Sequence, residues 1–195
     1  MKHLKILRAI SFILIVFVAV SGSFINCTGD PSYIPCEAEE SIIDSLSREI
    51  EMKDSLISIL YSHLPFGKPV DSIDISSSFG YRRHPITRRK QLHLGIDLRA
   101  DRRDTVYATA NGVVSKSGWY GGYGRHIEIE HEFEYITSYS HLHRIFVDKG
   151  DTVNKNQPIG LIGSTGFSTG PHLHYEIVQE GDRIDPIHHI DFNID

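Results

Sequence analysis

The chain has 195 residues, 40% of them hydrophobic, and 20 Lys and Arg against 25 Asp and Glu give a formal charge of −5. This length suits one ordinary domain with an appendage, and the hydrophobic content excludes wholesale disorder. The mild acidity argues against a nucleic-acid binder, and two Cys exclude a disulfide-dense scaffold or a cysteine-rich zinc finger. The 12 His are the unusual count, because His is the commonest metal ligand and the usual acid or base at neutral pH.

Residues 1–26 predict an export segment. They carry Lys2, Lys5 and Arg8 with no acidic residue, and the apolar run 9–20 follows, whereas the rest of the chain carries 17 basic and 25 acidic residues. A basic start before an apolar run is typical of a secretory signal peptide or a membrane anchor. We therefore expect an exported protein of the cell envelope or periplasm.

Three routes of export remain open at this point. Small residues at 21–23 suit signal-peptide cleavage, Cys27 would serve as a lipidated N-terminus, and the stretch 6–25 is long enough to span a membrane uncleaved. We favour membrane attachment over free secretion. Residues 27–36 are expected to form a linker, and Cys27 and Cys36 would form a small disulfide loop in an oxidising compartment.

Residues 37–63 predict an amphipathic helix, with Ser41 as a candidate cap and Pro65 ending it. Its seam follows the 3–4 spacing of a coiled coil with one polar interruption. One interpretation is a stalk or a homodimer through residues 41–60, and the other is a helix lying on the domain surface, because fewer than three heptads make a weak coiled coil. The seam residues are Ile43, Leu46, Ile50, Lys53, Ile57 and Leu60.

Residues 64–195 are expected to form the functional domain, and its fold class is all-β or β-rich with antiparallel strands. Short runs such as 105–108 and 112–115 are separated by Gly, Asp and Asn, and apolar and polar residues alternate over 126–131. No helical period of ten or more residues appears after residue 70.

The segment 170–177, GPHLHYEI, is the strongest local feature. Alternate residues of a strand share a face, so two imidazoles and a carboxylate point one way and three apolar side chains point toward the core. A metal ion can take one or two ligands from such a row. The two faces are His172, His174 and Glu176 on one side and Leu173, Tyr175 and Ile177 on the other.

Two further motifs carry potential metal ligands. His93 and Asp97 have the same parity on a strand, and Gly95 between them permits a bulge or a close backbone approach. His141 and His143 form a second pair two residues apart. Either His pair could supply metal ligands, and two His with an Asp or two His with the second His pair would both make a reasonable zinc site.

Eight motifs occur in the order found in one family of enzymes, over roughly residues 65–187. They are SSFGYR (77–82), HP (84–85), HLGID (93–97), VYA (106–108), NGVV (111–114), GGYG (121–124), YSHL (139–142) and GSTGFSTGPHLHYE (163–176). On these residues the chain resembles the lysostaphin/LytM-type zinc metallopeptidases, which cut peptide bridges in bacterial cell walls.

The resemblance implies one Zn²⁺ per domain on the floor of a β-sheet groove. It places the metal ligands on His93, Asp97 and His174, and two catalytic histidines on His141 and His172. We assign His172 as the base or proton shuttle and His141 as its partner at the oxyanion. The remaining His of the second pair, His143, matches no functional position, and His131 is expected to be structural.

The function implied is a zinc endopeptidase that hydrolyses peptide cross-links or stem peptides of peptidoglycan. The bond that is cut is not specified by these residues. The alternative is a non-catalytic peptidoglycan-binding protein that activates a cell-wall amidase through the helix over 37–61. Retention of all five family positions favours the enzyme.

Overall fold

A computed structural model of the protein describes residues 36–83 and 88–190, with side chains described from residue 41 onward. The predicted export segment 1–26, Cys27 and most of the linker lie outside the described residues, as does the HP motif at 84–85. The chain divides into two compact units, with Ser58 in the first and Ile59 in the second. Within the described ranges, no helix is long and apolar enough to cross a membrane.

The predicted helix is present as α1 (Cys36–His63). It begins five residues before Ser41, so the prediction that Ser41 caps the helix is wrong. Its polar side carries ion pairs one turn apart, between Arg48 and Asp44 (2.6 Å) and between Lys53 and Glu49 (2.5 Å). Such exposed pairs add only a few tenths of a kcal/mol each, about 0.3–0.5. The seam is exposed along most of its length, at Leu46, Ile50, Ile57 and Leu60.

The last turn of α1 belongs to the second unit and is tied to it by hydrogen bonds. Asn111 donates its backbone N–H to Ser62 O (2.8 Å), and Lys155 donates from Nζ to Tyr61 O (2.9 Å). The Lys155 ammonium also lies 3.4 Å from the centre of the Tyr61 ring. Terminal carbonyls of the helix are thereby satisfied from the domain.

The second unit is built from antiparallel strands, as predicted. The described strands are β1 (Ile75–Ser77), β2 (Gly80–Arg83), β3 (Lys90–His93), β4 (Ile96–Arg99), β5 (Thr105–Tyr107), β6 (Gly112–Trp119), β7 (Arg125–Glu130), β8 (Tyr135–Leu142), β9 (Arg144–Ile145), β10 (Thr152–Val153), β11 (Pro158–Leu161), β12 (His172–Gln179) and β13 (Asp182–Ile184). Single 3₁₀ turns occur at Gly121–Tyr123 and Pro186–His188.

These strands form three sheets. The large sheet has the order β1-β4-β12-β8-β7-β6-β10, with β13 pairing β12. A three-stranded sheet has the order β5-β11-β9, and β2 pairs only β3 in a separate hairpin. All of these pairings are antiparallel.

The two faces of β12 divide as its alternating sequence predicts. Leu173, Tyr175 and Ile177 are completely buried in the core. Neighbouring strands contribute Ile96 and Leu98 from β4 in the same way. Removing this apolar area from water is the main source of stability for the domain, at roughly 25 cal/mol per Å². The opposite face of the same strands is left to carry polar side chains.

A chain of hydrogen bonds satisfies the polar atoms in the core. Thr109 Oγ1 lies 3.0 Å from Tyr139 OH and 2.9 Å from Tyr175 OH. Thr137 Oγ1 is within hydrogen-bonding distance of both Tyr139 OH (3.1 Å) and His131 Nε2 (2.7 Å). The other nitrogen of His131, Nδ1, donates to Asn111 O (2.8 Å). His131 therefore has the structural environment expected for it.

His131 should make stability depend on pH. Burial lowers its pKa from 6.5 to about 4, so between these values the unfolded chain binds a proton that the folded chain does not. The contribution of His131 to the free energy of unfolding is complete above pH 6.5 and decreases as the pH drops toward 4. Between pH 7 and pH 5 we expect a loss of roughly 1–2 kcal/mol from this group.

Urea denaturation at several pH values should show this loss reduced in His131→Gln, which keeps a polar side chain but does not titrate in this range. The control is His188→Gln, because His188 is exposed. An identical pH dependence in the wild type and His131→Gln would refute the assignment.

Candidate metal centre

Three predicted ligands converge at one point on the polar face of the large sheet. His93 ends β3, Asp97 lies in β4, and His174 lies directly opposite Asp97 in β12. Asp97 Oδ1 is 3.1 Å from His93 Nε2 and 2.8 Å from His174 Nδ1, and these two nitrogens are 3.0 Å apart. All three side chains are buried.

The donor set fits a zinc ion. His93 donates from Nδ1 to Ser78 O (2.8 Å), and His174 directs Nε2 at Glu176 Oε1 (2.9 Å), so each ring turns its second nitrogen toward the shared point. Tetrahedral zinc with bonds of about 2.0–2.1 Å holds its ligand atoms roughly 3.3 Å apart. The observed separations need little adjustment to reach that value. Metal binding by these three residues stays a prediction.

Gly95 lets the segment between His93 and Asp97 pass close to β12. A Cβ added at Gly95 would lie 2.2 Å from Tyr175 O and 2.8 Å from Glu176 Cγ, so no side chain fits there. The expected close backbone approach is therefore present. The expectation that His93 and Asp97 share one strand is wrong, because β3 ends at His93 and β4 begins at Ile96 in a different sheet.

The charges around the centre favour an anionic Asp97. Burial raises the pKa of its carboxyl, but contacts with His174 and His93 outweigh burial and hold that pKa well below its usual range. Its second oxygen, Oδ2, forms an ion pair with Arg82 Nη2 at 3.0 Å. Burial by itself would lower the pKa of His174, because it disfavours the charged imidazolium. Hydrogen bonds to Asp97 and Glu176 outweigh burial and raise that pKa to about 8. A metal ion and a proton compete for the same place between these atoms.

Glu176 forms a buried anchor behind His174. Its Oε1 accepts hydrogen bonds from His174 Nε2 and from Tyr123 OH (3.0 Å), and its Oε2 accepts from Arg183 Nε (3.0 Å). Burial and the neighbouring carboxylate raise the pKa of Tyr123 to about 12, so the phenol remains a donor. A carboxylate in this position fixes the tautomer and orientation of a histidine ligand.

Two further imidazoles lie beside the three ligands. The rings of His141 and His172 are 4.8 Å apart, and His172 Nε2 is 3.8 Å from Asp97 Oδ1. His141 donates from Nδ1 to Thr165 O and His172 from Nδ1 to Gly170 O, both at 2.8 Å. Each Nε2 is thereby left with a lone pair.

His141 reaches this place through an unusual backbone conformation. Its φ is +64°, in the left-handed region that side chains other than Gly rarely adopt. Burial, with a contribution from nearby His172, lowers its pKa to about 4, so the ring is neutral at physiological pH. The positive φ breaks the strand alternation that would have placed His141 and His143 on one face.

The structure thus brings together all five residues assigned from the resemblance. His143 is not among the residues that line the groove. Three participants were missed as site residues: Glu176, Arg82 and Tyr123. The parity of β12 placed Glu176 beside His174, which was a usable signal, whereas Arg82 and Tyr123 reach the centre only through tertiary folding. The groove is also lined by Gly122, Phe167, Thr169 and Pro171.

Replacing Glu176 with Gln should weaken zinc binding about tenfold or more, because loss of an outer carboxylate partner typically costs 10–100-fold in metal affinity. Competition with a chromophoric chelator would measure the dissociation constant. The control is Glu130→Gln, an exposed Glu on β7. Equal zinc affinity in all three proteins would show that Glu176 does not support the ligand.

Comparison with known proteins points to one enzyme family. The sequence model of peptidase family M23 matches residues 91–186. The peptidoglycan DD-endopeptidase ShyA of Vibrio cholerae is 44% identical over 115 residues, which are 58% of this chain and 27% of that protein. The chain spans about a quarter of the length of the curated relatives it matches.

Three solved peptidase structures are similar to this chain in both sequence and fold. A zinc containing peptidase from Vibrio cholerae is 37% identical with a TM-score of 0.58, over 64% of this chain and 39% of that one. The lysostaphin catalytic domain from Staphylococcus simulans is 29% identical with a TM-score of 0.54, over 59% and 90%. The catalytic domain of the M23 protein EnpA from Enterococcus faecalis is 30% identical with a TM-score of 0.51, over 60% and 90%. The chain belongs to peptidase family M23.

Proposed function

We propose that this protein is a zinc-dependent endopeptidase that hydrolyses peptide cross-links or stem peptides of bacterial peptidoglycan. The observation that carries the proposal is the placement of two imidazoles, each with a free Nε2, beside a cluster of three metal-ligand atoms. The names of two relatives support it, since one is a peptidoglycan DD-endopeptidase and another a zinc containing peptidase. We propose residues 64–195 as the peptidase domain.

His93, Asp97 and His174 would hold the metal, which when bound supplies a Lewis acid and an ionisable water. The chain's own contribution is proton transfer. The lone pairs on His141 and His172 can each accept the proton that an attacking water loses, and the resulting imidazolium can donate it to the leaving amide nitrogen. We retain His172 as the base and His141 as its partner at the oxyanion. Because the neutral His141 ring holds its proton on Nδ1, it can donate to an oxyanion only after its Nε2 has accepted a proton.

The groove suits an extended peptide. Its lining includes the hairpin residues Arg82 and Gln91, together with Gly122 and Tyr123 from the 3₁₀ turn and the strongly exposed Phe167. The β2–β3 hairpin leads directly into β4, and the 3₁₀ turn leads directly into β7. In the large sheet, β12 and β8 lie between β4 and β7. A chain lying across these central strands would expose a backbone carbonyl to the candidate centre.

The alternative, a non-catalytic activator of a cell-wall amidase, needs none of the five positions that this chain retains. It predicts a protein that binds peptidoglycan and releases nothing from it. The two functions are therefore separated by the products of digestion.

The zinc-loaded protein should release soluble muropeptides from purified peptidoglycan, and mass spectrometry of these products would identify the bond cut. His141→Ala should retain zinc and lose 10²–10⁴-fold in turnover, because a proton-transfer group is removed without touching the metal ligands. His143→Ala is the matched control and should remain active.

Absence of products from the zinc-loaded wild type would favour the activator. A zinc-free His141→Ala protein would contradict the role given to His141, since that residue would then be needed for metal binding.

We also propose that the protein is exported and attached to the envelope through residues 1–27, and that it forms a homodimer through residues 41–60. The basic start and apolar run support export, and the exposed apolar residues of α1 support pairing, because a helix can bury such a seam against a second copy. The cell wall, as the proposed substrate, lies outside the cytoplasmic membrane.

Native mass spectrometry of the full protein extracted from membranes tests attachment and pairing together. We expect a dimer whose subunit mass corresponds either to the uncleaved chain or to a chain beginning at a lipidated Cys27. Leu46→Ser with Ile57→Ser should yield monomers, and Met52→Ser, exposed but off the seam, should not. A soluble monomer cleaved near residues 21–23 would overturn both proposals.

A further inference from the structure

The β2–β3 hairpin carries a local charge opposite to that of the whole protein. Residues 75–96 hold five of the 20 Lys and Arg and no Asp or Glu, whereas the rest of the chain holds 15 basic and 25 acidic residues. Such a concentration creates a positive potential that attracts anions even when the protein is negative overall.

Strand register places part of this charge on one face of the hairpin. Arg83 pairs with Lys90 and Tyr81 pairs with Leu92, so these four residues share a face. All four are exposed, with Tyr81 at 73%. The Lys90 ammonium lies 5.2 Å from the Tyr81 ring. The face therefore combines cations with exposed apolar surface.

The hairpin cations lack acidic neighbours. Arg82 is paired with Asp97, but among the side chains described, those of residues 41–83 and 88–190, no carboxylate forms an ion pair with Arg83, Arg88, Arg89 or Lys90. Elsewhere in the domain, Arg99, Lys116 and Arg183 each pair with a carboxylate. Clustered like charges repel one another, and an external anion would relieve that repulsion.

The hairpin is also continuous with the candidate centre. His93, the last residue of β3, supplies one ligand atom, and Arg82 and Gln91 on the other face line the groove. A ligand bound along the cations would therefore lie at the entrance to the groove rather than at a remote surface.

We propose that the hairpin cations Arg83, Arg88, Arg89 and Lys90 dock the free carboxylates of an anionic peptide substrate and guide it into the groove. This proposal rests on the proposed endopeptidase function and adds a substrate class: peptides whose carboxylates are free rather than amidated. Arginine suits this role because its guanidinium binds carboxylates through two parallel hydrogen bonds. The contribution is to capture of the substrate, and the cations do not act on the reacting atoms.

The test compares two muropeptide substrates that differ only in having free or amidated carboxylates. In the full-length zinc-loaded protein, the triple variant Arg83→Gln, Arg88→Gln, Arg89→Gln should raise KM about tenfold for the free-carboxylate substrate at low salt, with kcat unchanged. KM for the amidated substrate should stay the same. The salt dependence of kcat/KM should also become shallower in the variant.

A control variant, Arg102→Gln, Arg103→Gln, Lys149→Gln, removes the same charge from exposed positions outside the hairpin and the groove lining. It should leave the preference for free carboxylates intact. An unchanged KM in the hairpin variant, or an equal rise in KM for both substrates, would overturn the proposal. So would unchanged kinetics together with lost binding to phosphatidylglycerol vesicles, which would identify a membrane contact.

If the wild-type protein hydrolyses neither substrate, the proposed function fails. The hairpin is then judged by binding alone, from fluorescence anisotropy of the two labelled peptides. Tighter wild-type binding of the free-carboxylate peptide that is lost in the hairpin variant supports the docking surface. Equal binding of both peptides excludes it.

Discussion

The candidate metal centre depends on holding three electron-rich ligand atoms about 3 Å from one another in a buried site. Two imidazole nitrogens and a carboxylate oxygen repel each other there unless a cation lies among them, and burial makes the repulsion stronger. Each predicted ligand is therefore held from behind by a polar contact: His93 by Ser78 O, Asp97 by Arg82 and His174 by Glu176. The outer partners supply the orientation that the three ligands cannot supply for one another.

The sheet makes this arrangement possible because it separates two tasks along the same strands. In β12 the side chains of Leu173, Tyr175 and Ile177 are fully buried in the core, while those of His172, His174 and Glu176 line the groove. Packing on one face thereby fixes positions on the other, since the side chains of a strand alternate. The hydrogen-bonded tyrosines Tyr139 and Tyr175 add to this rigidity directly beneath the site. A metal centre with little freedom to adjust needs such a floor.

Local pattern predicted what depends on local geometry. The period of β12 gave its core face and placed Glu176 beside His174, and the 3–4 spacing gave the helix within one residue at its start. It failed at the turns. His93 and Asp97 lie on different strands of different sheets, and the positive φ of His141 separates it from His143. The roles of Arg82 and Tyr123 could not be predicted from local sequence, because they depend on pairings between strands far apart in the chain. The set of ligands was assigned from the family resemblance rather than from residue spacing.

Charges are also divided between two parts of the domain, the floor of the groove and the β2–β3 hairpin. The floor of the groove concentrates negative groups, Asp97 and Glu176, each neutralised by a cation within 3.0 Å. The hairpin beside it carries, besides Arg82, four cations that have no carboxylate partner among the described side chains. The hairpin cations would attract an anionic peptide to the entrance of the groove, whereas further inside each charged group already has a partner of opposite sign. Binding at the hairpin therefore need not hold the product at the candidate centre. Placing capture on the hairpin leaves Arg82, at the same hairpin's inner face, free to serve Asp97, and this explains how neighbouring arginines can have separate tasks.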